Sequence, residues 1–119
     1  MTKEDYELMF IDMCGRLPYG VKVEAEVWFE EEGEFKYVAE EVYSINTDRY
    51  ITHSSDEIDI ENTRPYLFPM YNMTEEQYEQ YVKCSAVKAV DWLNRNHFDY
   101  RGLIDRGLAI DATNKNIYS

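Results

Sequence analysis

Pro65-Tyr66-Leu67-Phe68-Pro69-Met70, then Met73-Thr74-Glu75-Glu76-Gln77-Tyr78, then Asp91-Trp92-Leu93-Asn94 and His97-Phe98-Asp99-Tyr100-Arg101-Gly102-Leu103 are the segments on which the fold of this chain turns. Pro65 and Pro69 have no N–H to give a ladder, so residues 65–70 are expected as an extended connector rather than a central strand. Thr74 and Gln77 have the spacing of a capping box, and Met73 and Tyr78 that of a hydrophobic staple, so a helix starts there. Tyr78, Tyr81, Val82, Ser85, Ala89, Trp92 and Leu93 continue one helical stripe to about residue 95, and Asn94 or Asn96 is the expected stop. Gly102 and Gly107 divide the remaining chain into a short helical turn and an extended end at Leu108-Ala109-Ile110. Thr74, Gln77, Trp92, Phe98 and Tyr100 are read together as a structural clamp. Because Tyr and Arg favour interfaces, residues 97–103 carry a second reading as a recognition surface.

Residues 2–14 read as a helix, with Thr2 as cap and Asp5 in the first turn. Tyr6, Phe10, Met13, Cys14 and Leu17 form its stripe, widened by Leu8, Met9 and Ile11. Gly15 is the expected stop. Residues 21–31 alternate: Val21, Val23, Ala25, Val27 and Phe29 on one face, Lys22, Glu24, Glu26, Trp28 and Glu30 on the other. Trp28 is the exception on the polar side. A turn at Glu31-Glu32-Gly33-Glu34 leads to a return strand over 35–45, with Phe35, Tyr37, Ala39, Tyr43 and Ile45 expected on one apolar face and a bulge near Glu40-Glu41 that shifts Val42 inward. Short strands come next at Tyr50–His53 and around Ile58 and Ile60, with a turn at Ser54-Ser55-Asp56 between them. The expected class is α+β: an N-terminal helix, a four-stranded antiparallel, strongly bent sheet (an SH3-like half-barrel), and a long C-terminal helix packed on it. Residues 1–110 are expected as a single domain, with 111–119 a frayed tail.

The chain carries 24 acids against 12 bases, a formal charge of −12. Residues 21–62 account for −10 of this, thirteen acids facing Lys22, Lys36 and Arg49, whereas residues 63–119 are balanced. Such a field repels nucleic acid and membrane surfaces and attracts basic protein patches. No run approaches the roughly 20 apolar residues of a membrane helix. The start, Met1-Thr2-Lys3-Glu4-Asp5, lacks the basic-then-apolar order of a signal peptide. Cys14 and Cys84 are therefore read as reduced thiols and the expected location is cytoplasmic.

Motifs for chemistry are missing. The sequence holds no glycine-rich phosphate loop, nucleophile elbow, paired-histidine zinc motif or Cys-x-x-Cys. Cys84 and His97 lack a third member for a thiolate site. Cys14, His53, Cys84 and His97 match no compact zinc spacing, and neither Glu30–Glu34 nor Asp56, Asp59 and Glu61 has the spacing of an EF-hand loop. The expectation is a protein without enzymatic activity or cofactor.

Leu17-Pro18-Tyr19-Gly20-Val21, the Pro65–Met70 segment, Met73-Thr74-Glu75-Glu76, and Asp91-Trp92-Leu93-Asn94 through His97-Phe98-Asp99-Tyr100-Arg101-Gly102-Leu103-Ile104 resemble, in matching order, a family of small uncharacterised proteins carried by phages and integrated elements of Bacteroides-type gut bacteria. Members tend to have a basic or small residue where Phe68 stands. The resemblance implies a mobile-element context, a scaffold set by the C-terminal motif and a variable acidic sheet; it carries no activity.

From these readings the expected function is that of a phage or prophage accessory protein binding a basic protein surface. Trp28, Glu24, Glu26, Glu30, Glu31, Glu32 and Glu34 are the expected contact residues, and a DNA-mimic inhibitor of a host defence protein is the sharper form. The alternative is a small-ligand or oligonucleotide binder using the barrel-like sheet, with Trp28 lining its pocket.

Overall fold

The computed structural model describes residues 2–48, 50–53 and 56–118. The first helix, α1 (Lys3–Arg16), begins with a complete capping box: Asp5 N–H donates to Thr2 Oγ1 at 3.0 Å and Thr2 N–H to the Asp5 carboxylate at 3.3 Å. Gly15 does not stop it. A Cβ there would lie 3.1 Å from Asn94 Nδ2, so glycine is what lets a later helix approach α1 closely. The chain leaves α1 through a 3-10 turn, Leu17–Tyr19, and reverses at Gly20, whose φ of +69° suits glycine. The buried face is Met9, Asp12, Met13 and Arg16, while Ile11 and Cys14 are exposed. The expected stripe is thus rotated, because a buried Asp–Arg pair occupies part of it.

Strands β1 (Lys22–Phe29) and β2 (Glu34–Glu41) form the expected hairpin, in unbroken antiparallel register from Lys22↔Glu41 to Phe29↔Glu34. The expected bulge at Glu40-Glu41 is not present. Val42 N–H continues the ladder to the Val21 carbonyl at 3.0 Å, and Val42 is buried without one. Directly opposed residues in an antiparallel pair share a face. Val21, Val23 and Ala25 therefore sit with Val42, Glu40 and Val38, and Glu24, Glu26 and Trp28 with Ala39, Tyr37 and Phe35. The aromatics of β2, expected inward, point outward.

The remaining strands divide differently from the expected bent sheet of four. β3 (Ser44–Ile45), β4 (Tyr50–His53) and β5 (Asp56–Asp59) make a separate antiparallel three-stranded sheet. The turn expected at Ser54-Ser55 lies outside the described residues. After a 3-10 turn at Ile60–Asn62, the segment expected as a connector is strand β6 (Arg64–Pro69) and lies in the middle of the larger sheet. It pairs antiparallel with β1, and parallel with β7 (Phe98–Asp99) and β8 (Ile110–Asp111). The prolines are tolerated because they sit near its ends. Between them Phe68 N–H reaches the His97 carbonyl at 2.8 Å, and Leu67 C=O accepts from Ala112 N–H at 2.8 Å. Two sheets and no closed barrel result among the described residues, so the SH3-like half-barrel is corrected to a mixed α+β arrangement with eight strands and three helices.

The expected long C-terminal helix is two helices, α2 (Glu75–Val82) and α3 (Ala86–Arg95). Ser85, in extended conformation (φ −67°, ψ 164°), is the N-cap residue of the second one and makes no side-chain cap bond there; its carbonyl accepts from Ala89 N–H at 2.7 Å. The break separates the stripe: Tyr78 and Val82 are exposed, while Trp92 and Leu93 are buried. Met9, Met13, Val23, Ile51, Leu67 and Leu103 belong to one core between α1 and the sheets; Trp92, Leu93 and Phe98 form a second against Phe68, Met73, Tyr81 and Tyr100. Residues 111–118, expected to fray, are docked: Tyr118 donates to the Tyr66 carbonyl at 2.7 Å and accepts from Lys22 N–H at 2.9 Å. Few apolar residues are needed to hold a tail that hydrogen-bonds to backbone.

Candidate functional site

The outer face of the β1–β2 hairpin gathers what the sequence leaves apart. Trp28 stands opposite Phe35 with ring centroids 4.9 Å apart at 62°, an edge-to-face pair. Glu26 stands opposite Tyr37. Trp28, Phe35 and Tyr37 are 49%, 60% and 66% exposed, large values for rings of this size on one face. Beside them lies a groove of about 480 Å³ lined by Glu24, Glu26, Tyr37, Glu61, Asn62, Thr63 and Arg64. Arg64 Nη2 meets Glu24 Oε1 at 2.9 Å, leaving Glu26 and Glu61 as its carboxylates without an ion pair among the described residues.

The other expected contact residues are dispersed. Glu30, Glu31 and Glu32 occupy the exposed hairpin turn, where Gly33 takes φ +64° and gives its N–H to Phe29 C=O at 2.8 Å. Glu32 forms an ion pair with Lys36, whose ammonium lies 3.9 Å from Glu34 and 5.3 Å from the Phe29 ring centroid. Glu32 and Glu34 are therefore partly neutralised, and Glu34 belongs to the opposite face from Trp28. Phe35, Tyr37, Glu61 and Arg64 are additions to the expected set; reading the register of the return strand from Phe29↔Glu34 finds the first two.

The clamp residues fall in one region. Thr74 and Gln77 complete a capping box at α2, with 3.1 Å and 2.9 Å bonds. Trp92 stacks on Phe98 at 5.7 Å and 7°, and Tyr100 donates to Asn94 Oδ1 at 2.9 Å. Behind them lies a buried ionic centre that apolar periodicity does not reveal. Arg16 Nε donates to Asp12 at 2.7 Å and Nη2 to Phe98 C=O at 2.6 Å, and both side chains are fully buried. Arg101 Nε is 3.2 Å from Asp12, an ion pair without a directed hydrogen bond. Both guanidinium carbons lie close to the Tyr100 ring centroid, Arg16 at 5.2 Å and Arg101 at 5.0 Å. His97, at φ +62°, stacks on Tyr118 at 3.6 Å, and its Nδ1 is buried without a partner among the described residues. Burial above all, then the charges of Arg16 and Lys22, lowers its pKa to about 4, so it is neutral at pH 7.

Among the described residues no three His, Cys, Asp or Glu side chains converge as a metal site, and no helix is long and apolar enough to cross a membrane. In comparisons with protein-family models, curated proteins and solved structures, nothing matches this chain.

Proposed function

We propose that this chain is a non-enzymatic interaction protein, a cytoplasmic accessory factor of a phage or prophage, whose β1–β2 outer face binds a protein with a basic surface. The observation that carries the reading is the exposed trio Trp28, Phe35 and Tyr37 bordered by Glu24 and Glu26. Aromatic anchors dominate binding energy where they can be desolvated, and flanking carboxylates steer a basic partner and fix its register. The adjoining groove, with Glu26 and Glu61 in its lining, has the charge and size to take a lysine or arginine side chain. A basic protein fits better than the DNA-mimic form, because phosphate-like behaviour needs a track of unpaired carboxylates, and Glu24, Glu32 and Glu34 are engaged by Arg64 and Lys36. The small-ligand or oligonucleotide alternative has less support: among the described residues the strands close no barrel, and Trp28 is not in the lining of the adjoining groove.

The test is fluorescence titration with lysine- and arginine-rich peptides. Trp92 is buried, so a change in the solvent-exposed emission reports Trp28. Binding should weaken steeply with salt and fall by about thirtyfold in Trp28→Ala, the effect of losing a hot-spot aromatic of about 2 kcal/mol. Affinity that is indifferent both to salt and to Trp28 would sink the reading.

A further inference from the structure

A cleft of about 710 Å³ lies on the side of the molecule made by the end of α3 and the docked C-terminal segment. Its volume is in the range of small-molecule sites, roughly 300–1,000 Å³. Its charge runs against the composition of the chain. Acids outnumber bases 24 to 12, yet none of the residues lining this cleft is an Asp or Glu, and Arg95 is its one formal charge. The charges behind the lining are of both signs: Asp111 Oδ1 accepts from Thr113 N–H and Oγ1, and two guanidiniums lie beyond Phe98. Phe98, which lines the cleft, gives its carbonyl to Arg16, whose buried Nη1 has no partner among the described residues; Asp12 faces two guanidiniums there.

The polar lining is held in place. Asn72 gives Nδ2 to Thr113 Oγ1, Asn96 gives Nδ2 to the Trp92 carbonyl at 2.9 Å, and Gln77 Oε1 accepts from Thr74 N–H at 2.9 Å. Each bond fixes one end of an amide and leaves Asn72 Oδ1, Asn96 Oδ1 and Gln77 Nε2 as the opposite ends. Acceptors and a donor are thus oriented in advance, as a polar ligand requires. Phe68, half-buried, adds a ring. The described non-glycine residues with positive φ, His97, Asn114 and Asn116, all belong to the lining. Backbone held in such conformations clusters at ligand sites.

We infer that this cleft binds a nucleoside monophosphate, with Arg95 on the phosphate, the side-chain amides on the edge of the base or sugar, and Phe68 against the base. The site is independent of the hairpin face. A bare phosphate would meet a single guanidinium and leave the amides unused. A simple aromatic carboxylate would leave oriented donors and acceptors dry and unpaired, which is unfavourable. Arg95 is exposed, its guanidinium 5.5 Å from the Tyr19 ring centroid, so it can be replaced without opening a core.

The experiment is an amide NMR titration of the intact chain with AMP, GMP, CMP and UMP, with inorganic phosphate and benzoate as separate arms. At least one nucleotide should shift Asn72, Arg95 and Asn96 saturably at millimolar concentration or below. Arg95→Gln, with an otherwise unchanged spectrum, should weaken it tenfold or more, and Trp28→Ala should leave it unchanged. The inference is overturned if no nucleotide saturates, if Arg95→Gln binds equally well, or if phosphate or benzoate binds as tightly as the best nucleotide.

Discussion

Asp12 and Arg16 show how a polar pair can sit at the centre of a small core. Both are fully buried, and Arg16 also holds the Phe98 carbonyl across 82 residues of sequence. Removing one partner strands the other charge, so Asp12→Ala should cost about 3–5 kcal/mol in urea unfolding. An Asp12→Asn variant, keeping shape and one acceptor, should cost less. Neither belongs to the apolar stripe read from the sequence of α1, because apolar periodicity counts hydrophobic residues and cannot see a neutralised pair. His97 gives a pH dependence with a definite sign. Its folded pKa of about 4 lies below the ordinary 6.5, so the unfolded chain binds the proton more readily. Stability is complete above about pH 6.5 and falls as pH drops toward 4, by roughly 3 kcal/mol in all for a shift of this size. His97→Asn, which tolerates the positive φ, should flatten that slope in denaturation series run at pH 4, 5, 6 and 7. A slope unchanged by this substitution would assign the effect to other groups.

Elements are where the sequence is most and least legible. Both capping boxes are visible in it, Thr2 with Asp5 and Thr74 with Gln77, because each is a contact between residues three apart. The hairpin is visible too, through alternation and the Gly33 turn. β6 is not: its partners come from residues 23–24, 98–99 and 110–111, and no local pattern encodes such pairings. The prolines mislead because a strand needs its N–H groups only at the bonded positions. Gly15 misleads for a related reason, since its role is set by Asn94, a residue of α3. At that crossing Gly15→Ala should be nearly neutral, the helix-propensity gain of about 1 kcal/mol offsetting a close contact. Gly15→Leu should cost about 1–3 kcal/mol by overpacking, read from thermal or urea midpoints.

At the scale of the molecule, Tyr118 joins the end of the described chain to its middle. Its hydroxyl bonds Lys22 N–H and Tyr66 C=O, and its ring stacks on His97. Tyr118→Phe leaves those backbone groups short of a partner and should cost about 1–2 kcal/mol, with faster hydrogen exchange at Lys22 as the local sign. The expected fraying of this segment fails because a tyrosine hydroxyl, unlike an apolar run, leaves no periodic trace. The division of charge is legible in the sequence, and the structure sharpens it: the acidic third carries the hairpin, while the balanced C-terminal part surrounds the cleft of Arg95.

The place of β2 in the sheet has a consequence of its own. It is an outermost strand, eight residues long and barely buried, so one side of its backbone lacks a neighbouring strand among the described residues. Such an edge is a template on which a second copy of the chain can add itself and begin a fibre. Glu34, Glu40 and Glu41 lie along it, with Lys36 the one base, so two copies brought edge to edge set like charges against each other. Replacing these glutamates with glutamine should leave the monomer's fold intact and raise light scattering on storage. Acidity on this strand is thus expected to oppose edge-to-edge association, whichever partner the face above it receives.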